Sequence, residues 1–161
     1  MIRVQREDFD PGAEIAALSR DPGIGAVVSF VGLVRDVGQS GALKAMTLEH
    51  YSGMTERMLA EIEAEARQRW PLSACLIVHR FGRLEANDRI VLVVVASAHR
   101  DEAFAACGFL VDWLKTKAPF WKREEGERGP RWVSAQESDA EAAQRWGQSV
   151  GDKSLLPKRR N

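Results

Sequence analysis

The stretch Leu114-Lys115-Thr116-Lys117-Ala118-Pro119-Phe120-Trp121-Lys122-Arg123-Glu124 decides how the chain is read. It follows a long apolar run and is cut by a proline. Proline cannot continue a helix, and it pushes the residue before it out of the helical region. Lys115 is therefore expected in the last turn of a helix, and Lys122 on an extended segment that leaves at an angle. Lys115, Lys117, Lys122 and Arg123 carry four positive charges with no acid among them, and Phe120 and Trp121 sit between them. That geometry lets two lysines, distant along an unbroken helix, approach one pocket. The same residue types also fit a solvated basic helix end, where cations suit the dipole, and taken alone they favour that plainer reading.

Working outward, Ala103 to Leu114 is apolar nearly all round, so a buried helix is expected, opened by His99-Arg100-Asp101 with acids in its first turn. Its extent of about 17 residues gives a rod of roughly 25 Å. Its two ends cannot serve one small pocket within a single chain, but they can if two chains pack about a two-fold axis. Upstream, Ala74–Leu84 and Arg89–Ser97 read as an antiparallel strand pair joined by a turn at Glu85–Asp88, with the second strand central because it is apolar on both faces. A helix opens at Ser52 or Gly53, carries Met54, Met58, Leu59, Ile62, Ala66 and Trp70 on one stripe, and ends at Pro71.

Leu43–Tyr51 alternates as a strand, with Met46, Leu48 and His50 on one face. Gly25–Arg35 reads as a strand buried on much of both faces, followed by a mobile glycine-rich loop over Asp36–Gly41. Residues 1–6 suit a short strand, and a short helix fits between Asp8 and Pro22. Downstream come a polar turn over Glu125–Pro130, a short strand at Arg131–Val133 and a last helix from Ser138 through Trp146. Residues 151–161 have no periodicity and are expected to be a disordered tail. The class expected is α+β: one domain over residues 1–150, with a mixed, mostly antiparallel sheet flanked by helices.

Composition narrows the chemistry. Lys plus Arg equals Asp plus Glu at 23 each, so no global attraction to nucleic acid or to a membrane surface is expected. The N-terminus lacks the apolar core of a signal peptide, and the longest apolar run, Ile90–Ala96, is far too short to span a bilayer. Cys75 and Cys107 sit in apolar runs and read as buried free thiols of a reducing cytoplasm. The soft ligands His50, His79, His99, Cys75 and Cys107 form no compact metal spacing. There is no glycine-rich phosphate loop and no nucleophile elbow, and a thiolate in an apolar run is costly. That leaves the cations on element ends. Arg35 closes a strand, His99 and Arg100 stand at a helix N-terminus, where amides also favour an anion, and Lys115 and Lys122 flank Pro119.

Three separated motifs then agree in order: Thr47-Leu48-Glu49-His50-Tyr51-Ser52-Gly53-Met54-Thr55-Glu56, Ser97-Ala98-His99-Arg100, and Leu114 to Glu124. With their spacing, from about Gly25 to Trp146, the chain resembles the catalytic (large) subunit family of molybdopterin synthase. The resemblance implies an α/β-hammerhead-like fold and a cytoplasmic sulfurtransferase. Such an enzyme installs two sulfurs in a cyclic pyranopterin monophosphate to make molybdopterin. Sulfur arrives as a thiocarboxylate on the C-terminal Gly-Gly of a ubiquitin-like small subunit, whose tail threads into the large subunit. The implied assembly is a central homodimer with one small subunit at each end. Carried over by motif, Lys115 and Lys122 are the catalytic pair, and Arg35, His99 and Arg100 bind substrate. No cofactor, metal, nucleic acid or membrane is implied. Position 117 is Lys where an Arg is also familiar, so the charge is kept. A non-catalytic module receiving a ubiquitin-like tail is the alternative, and a single-strand nucleic-acid platform built on Phe120 and Trp121 is a more distant one.

Overall fold

The computed structural model describes residues 1–38, 41–126, 129–133 and 144–147. A four-stranded sheet is built from β1 (Ile2–Gln5), β5 (Leu72–Arg80), β7 (Arg89–Ser97) and β2 (Ala26–Leu33), in that order across the sheet. Only the β1–β5 pair is parallel. A second sheet runs β3 (Val37–Gly38), β4 (Gly41–His50), β8 (Phe120–Gly126) and β9 (Gly129–Val133), with β6 (Gly82–Glu85) also paired to β4. Among the described residues the longer helices are α1 (Pro11–Leu18), α2 (Met54–Arg69) and α3 (Arg100–Lys117). This is the α+β class read from the sequence.

The burial pattern explains why the middle strands are apolar on both faces. Cys75, Ile77, Val93 and Val95 pack against Leu59, Ile62 and Ala66 of α2 and against Ala106, Phe109 and Leu110 of α3. The alternate residues Leu76, Val78, Leu92 and Val94 pack with Phe9 and with Ile15 and Leu18 of α1. One strand layer is thus sandwiched between two helical layers. A smaller cluster, Val34, Met46, Leu48 and Leu84, holds the second sheet.

Local signals set the element ends. The Asp10 side chain accepts from the Gly12 and Ala13 amides and starts α1. Gly53, at φ +82°, enters α2, and Glu56 reaches back to accept from its amide at 2.6 Å. Residues 144–147 are helical, and Trp146 seats edge-on against Trp70 and Phe109 while its Nε1 donates to Asp112 at 2.7 Å.

Five expectations change. The strand expected over Ala74–Leu84 is two strands: Gly82, at φ +91°, turns the chain after Phe81 out of the first sheet and into the second. The Gly25–Arg35 run is an edge strand, half-buried, with α3 covering one side. Asp36–Gly41 is no plain loop, because Val37 and Gly38 pair with Ala42 and Gly41; positions 39–40 lie outside the described residues. On α2 the buried stripe is Thr55, Leu59, Ile62 and Ala66, with Met54 left exposed. Of the turn expected over Glu125–Pro130, Glu125 and Gly126 belong to β8 and Gly129 and Pro130 to β9, while positions 127–128 lie outside the described residues. The start of the last helix at Ser138 and the tail over 151–161 lie outside the described residues.

Candidate functional site

The site grows from the end of α3. Leu114 is buried in the main core and Ala118 packs against it, which fixes the helix C-terminus against the sheet. Lys115 and Lys117 occupy the last turn. Both are exposed, and Lys117 places its Nζ 3.7 Å from the Trp113 ring centroid. Pro119 ends the helix, Ala118 is already extended (φ −68°, ψ 124°), and the Phe120 amide donates to the Ala118 carbonyl at 2.8 Å. β8 begins there, so Lys115 and Lys122 stand on two elements joined by a two-residue corner, as the proline predicts.

Alternation along β8 sorts its side chains onto two faces. Phe120, Lys122 and Glu124 share the face that turns toward Met46 and Leu48, while Trp121 and Arg123 take the other. Lys122 pairs across to Leu48 on one side and Val133 on the other. Its Nζ lies 2.6 Å from Oε1 of Glu124, whose side chain is almost wholly buried. A buried carboxylate needs a cation and hydrogen bonds to be tolerated, so Glu124 anchors Lys122. At the head of the strand, the Phe120 ring stacks on buried His79 (centroids 3.7 Å apart, planes at 14°), with His50 at 5.9 Å. The Nδ1 of His50 is buried without a hydrogen-bond partner among the described residues. Sequence reading gave Glu124 and His79 no role. The signal for Glu124 was the spacing Phe120, Lys122, Glu124, which puts an acid on the lysine's own face. Nothing local marked His79, because its contact is between the two sheets.

The remaining cations divide by strand register. β2 runs opposite to β7, with Ala26 facing Ser97 and Leu33 facing Arg89. Arg35 follows Leu33, directly after Val34, which packs in the cluster containing Leu48, the β4 neighbour of Lys122. Arg35 therefore belongs to the same end of the molecule as β8. The start of β8 is there too, since His79 pairs with Val91. His99 and Arg100 follow Ser97 at the opposite end, both exposed, with a long contact from Arg100 to Asp101 at 3.7 Å. The 18 residues of α3 make a rod of about 27 Å between the two groups. One chain thus brings Arg35, Lys115 and Lys122 to one end, and holds His99 and Arg100 at the other.

The outer face carries a different feature. Glu49, His50, Tyr51, Trp121 and Trp132 line an open depression of about 340 Å³, and Tyr51 meets Trp121 edge-on at 4.9 Å. Phe120 and Trp121 point to opposite faces of β8, so they do not form one stacking platform for bases. Both thiols are buried in the main core. Burial pushes Cys75 up to about 12 and Cys107 up to about 11, so neither is a ready thiolate. Among the described residues, no group of three or more His, Cys, Asp or Glu side chains could hold a metal ion, and no helix is long and apolar enough to cross a membrane.

Comparison with known proteins identifies the family. The family model described as MoaE protein matches residues 4–117. The chain is 58% identical over 146 residues to the molybdopterin synthase catalytic subunit of Pseudomonas aeruginosa, covering 90% of this chain and 97% of that one. The molybdopterin biosynthesis MoaE protein of Burkholderia ambifaria superposes with a TM-score of 0.79 at 52% identity, covering 92% of this chain and 99% of that one. A protein–protein complex of subunits 1 and 2 of molybdopterin-converting factor from Helicobacter pylori contains a chain of the same fold. Its TM-score is 0.68 at 17% identity, covering 84% of this chain and 90% of that one. The chain belongs to the MoaE family of molybdopterin synthase catalytic subunits.

Proposed function

We propose that this chain carries out the sulfur-transfer step of molybdopterin synthesis. It would convert a cyclic pyranopterin monophosphate to molybdopterin with sulfur from the C-terminal Gly-Gly thiocarboxylate of a ubiquitin-like small subunit. The observation that carries the reading is the corner at Pro119. It joins an exposed Lys115 at a helix end to a Lys122 tethered by a buried carboxylate, with Arg35 at the same end of the molecule. Two anions, a phosphate and a thiocarboxylate, must be brought together before any bond changes. Fixed cations in a confined place do this, and they stabilise the oxyanions that develop. The thiocarboxylate sulfur is itself the nucleophile: as its C–S bond forms at a pterin side-chain carbon, a C–O bond at that carbon breaks and the oxygen departs with the opened phosphate ring or, once protonated, as water. Water then cleaves the acyl–sulfur bond, leaving the sulfur on the pterin and a plain carboxylate on the small subunit. A second thiocarboxylate repeats the sequence. Lys115 is assigned proton transfer to and from the reacting atoms, and Lys122 and Arg35 are assigned the anions. The buried, protonated cysteines fit a reaction in which the sulfur is brought in by the partner.

His99 and Arg100 complete the site only from a second copy, because α3 holds Arg100 about 23 Å from Lys115 along its axis. The reading therefore includes a homodimer with one small subunit at each end, in the cytoplasm. The Helicobacter pylori complex of two subunits supports pairing with a small partner. The test is direct. Purified chain, thiocarboxylated small subunit and pterin precursor are combined and molybdopterin is scored. Lys115→Ala abolishes product while circular dichroism and small-subunit binding persist. Binding of the small subunit with no product from the unaltered chain would instead support a non-catalytic receiver of the tail.

A further inference from the structure

We infer that His79 is a positioning residue for Lys122: its imidazole, held flat against Phe120, sets where β8 leaves the Pro119 corner and so where the Lys122 ammonium stands. The inference rests on the reading of Lys122 just given.

Phe120 is the first residue of β8 and shares a face with Lys122 two positions on. Two residues of strand span only about 7 Å, so a shift of the Phe120 ring is felt at Lys122. The corner has little to hold it from within. Its backbone bond from Phe120 to Ala118 is local and turns with the corner. Phe120 pairs with His50 of β4 through the backbone, and its ring is set in a defined plane by the 3.7 Å stack on His79, whose planes differ by only 14°. His79 comes from β5 of the other sheet, so this stack fixes the lysine strand to the larger core.

The histidine is suited to that task. It is buried, and its Nδ1 lies 2.9 Å from the Arg80 carbonyl, an acceptor, so Nδ1 carries the proton and donates. That bond sets the ring plane as well as its place, which an aliphatic side chain of similar size cannot do. The ring is also backed at the sheet crossing. His50, opposite Phe120 on β4, lies 4.4 Å from Phe81, the residue at which the chain leaves one sheet for the other. Burial keeps the imidazole uncharged, with its pKa lowered to about 4, so no extra cation sits beneath the lysine.

The experiment uses the full chain with its thiocarboxylated small subunit and pterin precursor, and compares His79→Asn, His79→Phe and Phe120→Leu with the parent. His79→Asn keeps a short polar group and loses the stack; His79→Phe keeps a ring. With Lys122 mispositioned rather than removed, His79→Asn and Phe120→Leu lower kcat about tenfold while KM for the pterin stays within about twofold. His79→Phe recovers kcat to within about threefold of the parent, by the same reasoning. A folded His79→Asn with parental kcat overturns the inference, as does an equal rise in KM that accounts for the loss. If His79→Asn does not fold, Phe120→Leu decides alone, since it leaves His79 in place, and parental kcat there also overturns it. Lys122→Ala separates the two levels. If that variant turns over normally, the assignment of Lys122 is wrong. If it is inactive while His79→Asn is normal, only the positioning role falls.

Discussion

At the scale of residues, the Lys122–Glu124 pair joins stability to function. Glu124 is buried and Lys122 is half-exposed, so the lysine can be solvated without its partner but the carboxylate cannot. Glu124→Gln keeps the shape and removes the charge. It is expected to lower stability by about 1–2 kcal/mol, less than breaking a fully buried pair, because Lys122 retains water. The urea midpoint measures that change, and molybdopterin formation should fall with it. His79 gives a second prediction. Its folded pKa, about 4, lies below the ordinary 6.5 because burial disfavours the cation. Between those values the unfolded chain binds more protons, so stability is complete above about pH 6.5 and drains away as the pH falls toward 4. The whole effect is about 3 kcal/mol at most. Urea midpoints measured across that window should slope in the parent and be flatter in His79→Phe. Cys75→Ala and Cys107→Ala should keep their activity in the same synthesis assay. A large loss without unfolding would point to a sulfur relay through the chain.

At the scale of elements, α3 and its proline stop were legible because the signals are local: an apolar run, acids in the first turn, lysines in the last and Pro119 beyond. The alternation of β4 was equally plain. The split of the strand at Phe81–Gly82 was not, because a glycine inside a β-rich run reads alike as a bulge, a bend or a weak point. What decides it is the left-handed backbone that Gly82 adopts, together with the Arg6 side chain 2.8 Å from where a Cβ would sit. Gly82→Ala should therefore cost about 1–3 kcal/mol from backbone strain, read as a shift in urea midpoint with an unchanged m-value. The edge position of β2 was hidden for another reason. Valine-rich composition reports a strand covered by helices, and α3 covers β2 although no strand pairs with its outer edge among the described residues.

At the scale of the molecule, register shows what the residue list could not. The five candidate cations were all visible as charges at element ends, but only the opposed directions of β2 and β7 sort them into a group of three and a group of two. If one reaction centre draws on both groups, then each centre is shared between copies. A chain carrying Lys115→Ala and a chain carrying Arg100→Ala are each inactive alone. Mixed and allowed to exchange, they form hybrids in which one centre of two is intact. Random pairing then restores about a quarter of the parental activity, as expected for a two-fold dimer. No recovery after demonstrated exchange would place both groups in separate sites of one chain.

The order of strands in the larger sheet also governs how the chain can assemble as it is made. Ile2 pairs with Ile77, and Ala26 pairs with Ser97. β1 and β2, made before the rest of this sheet, must therefore wait for β5 and β7 before either has its partner in it. Closing such long loops is slow compared with forming a local hairpin. Nascent chains halted before β5 should be readily digested by protease, and chains released beyond β7 should become resistant in one step.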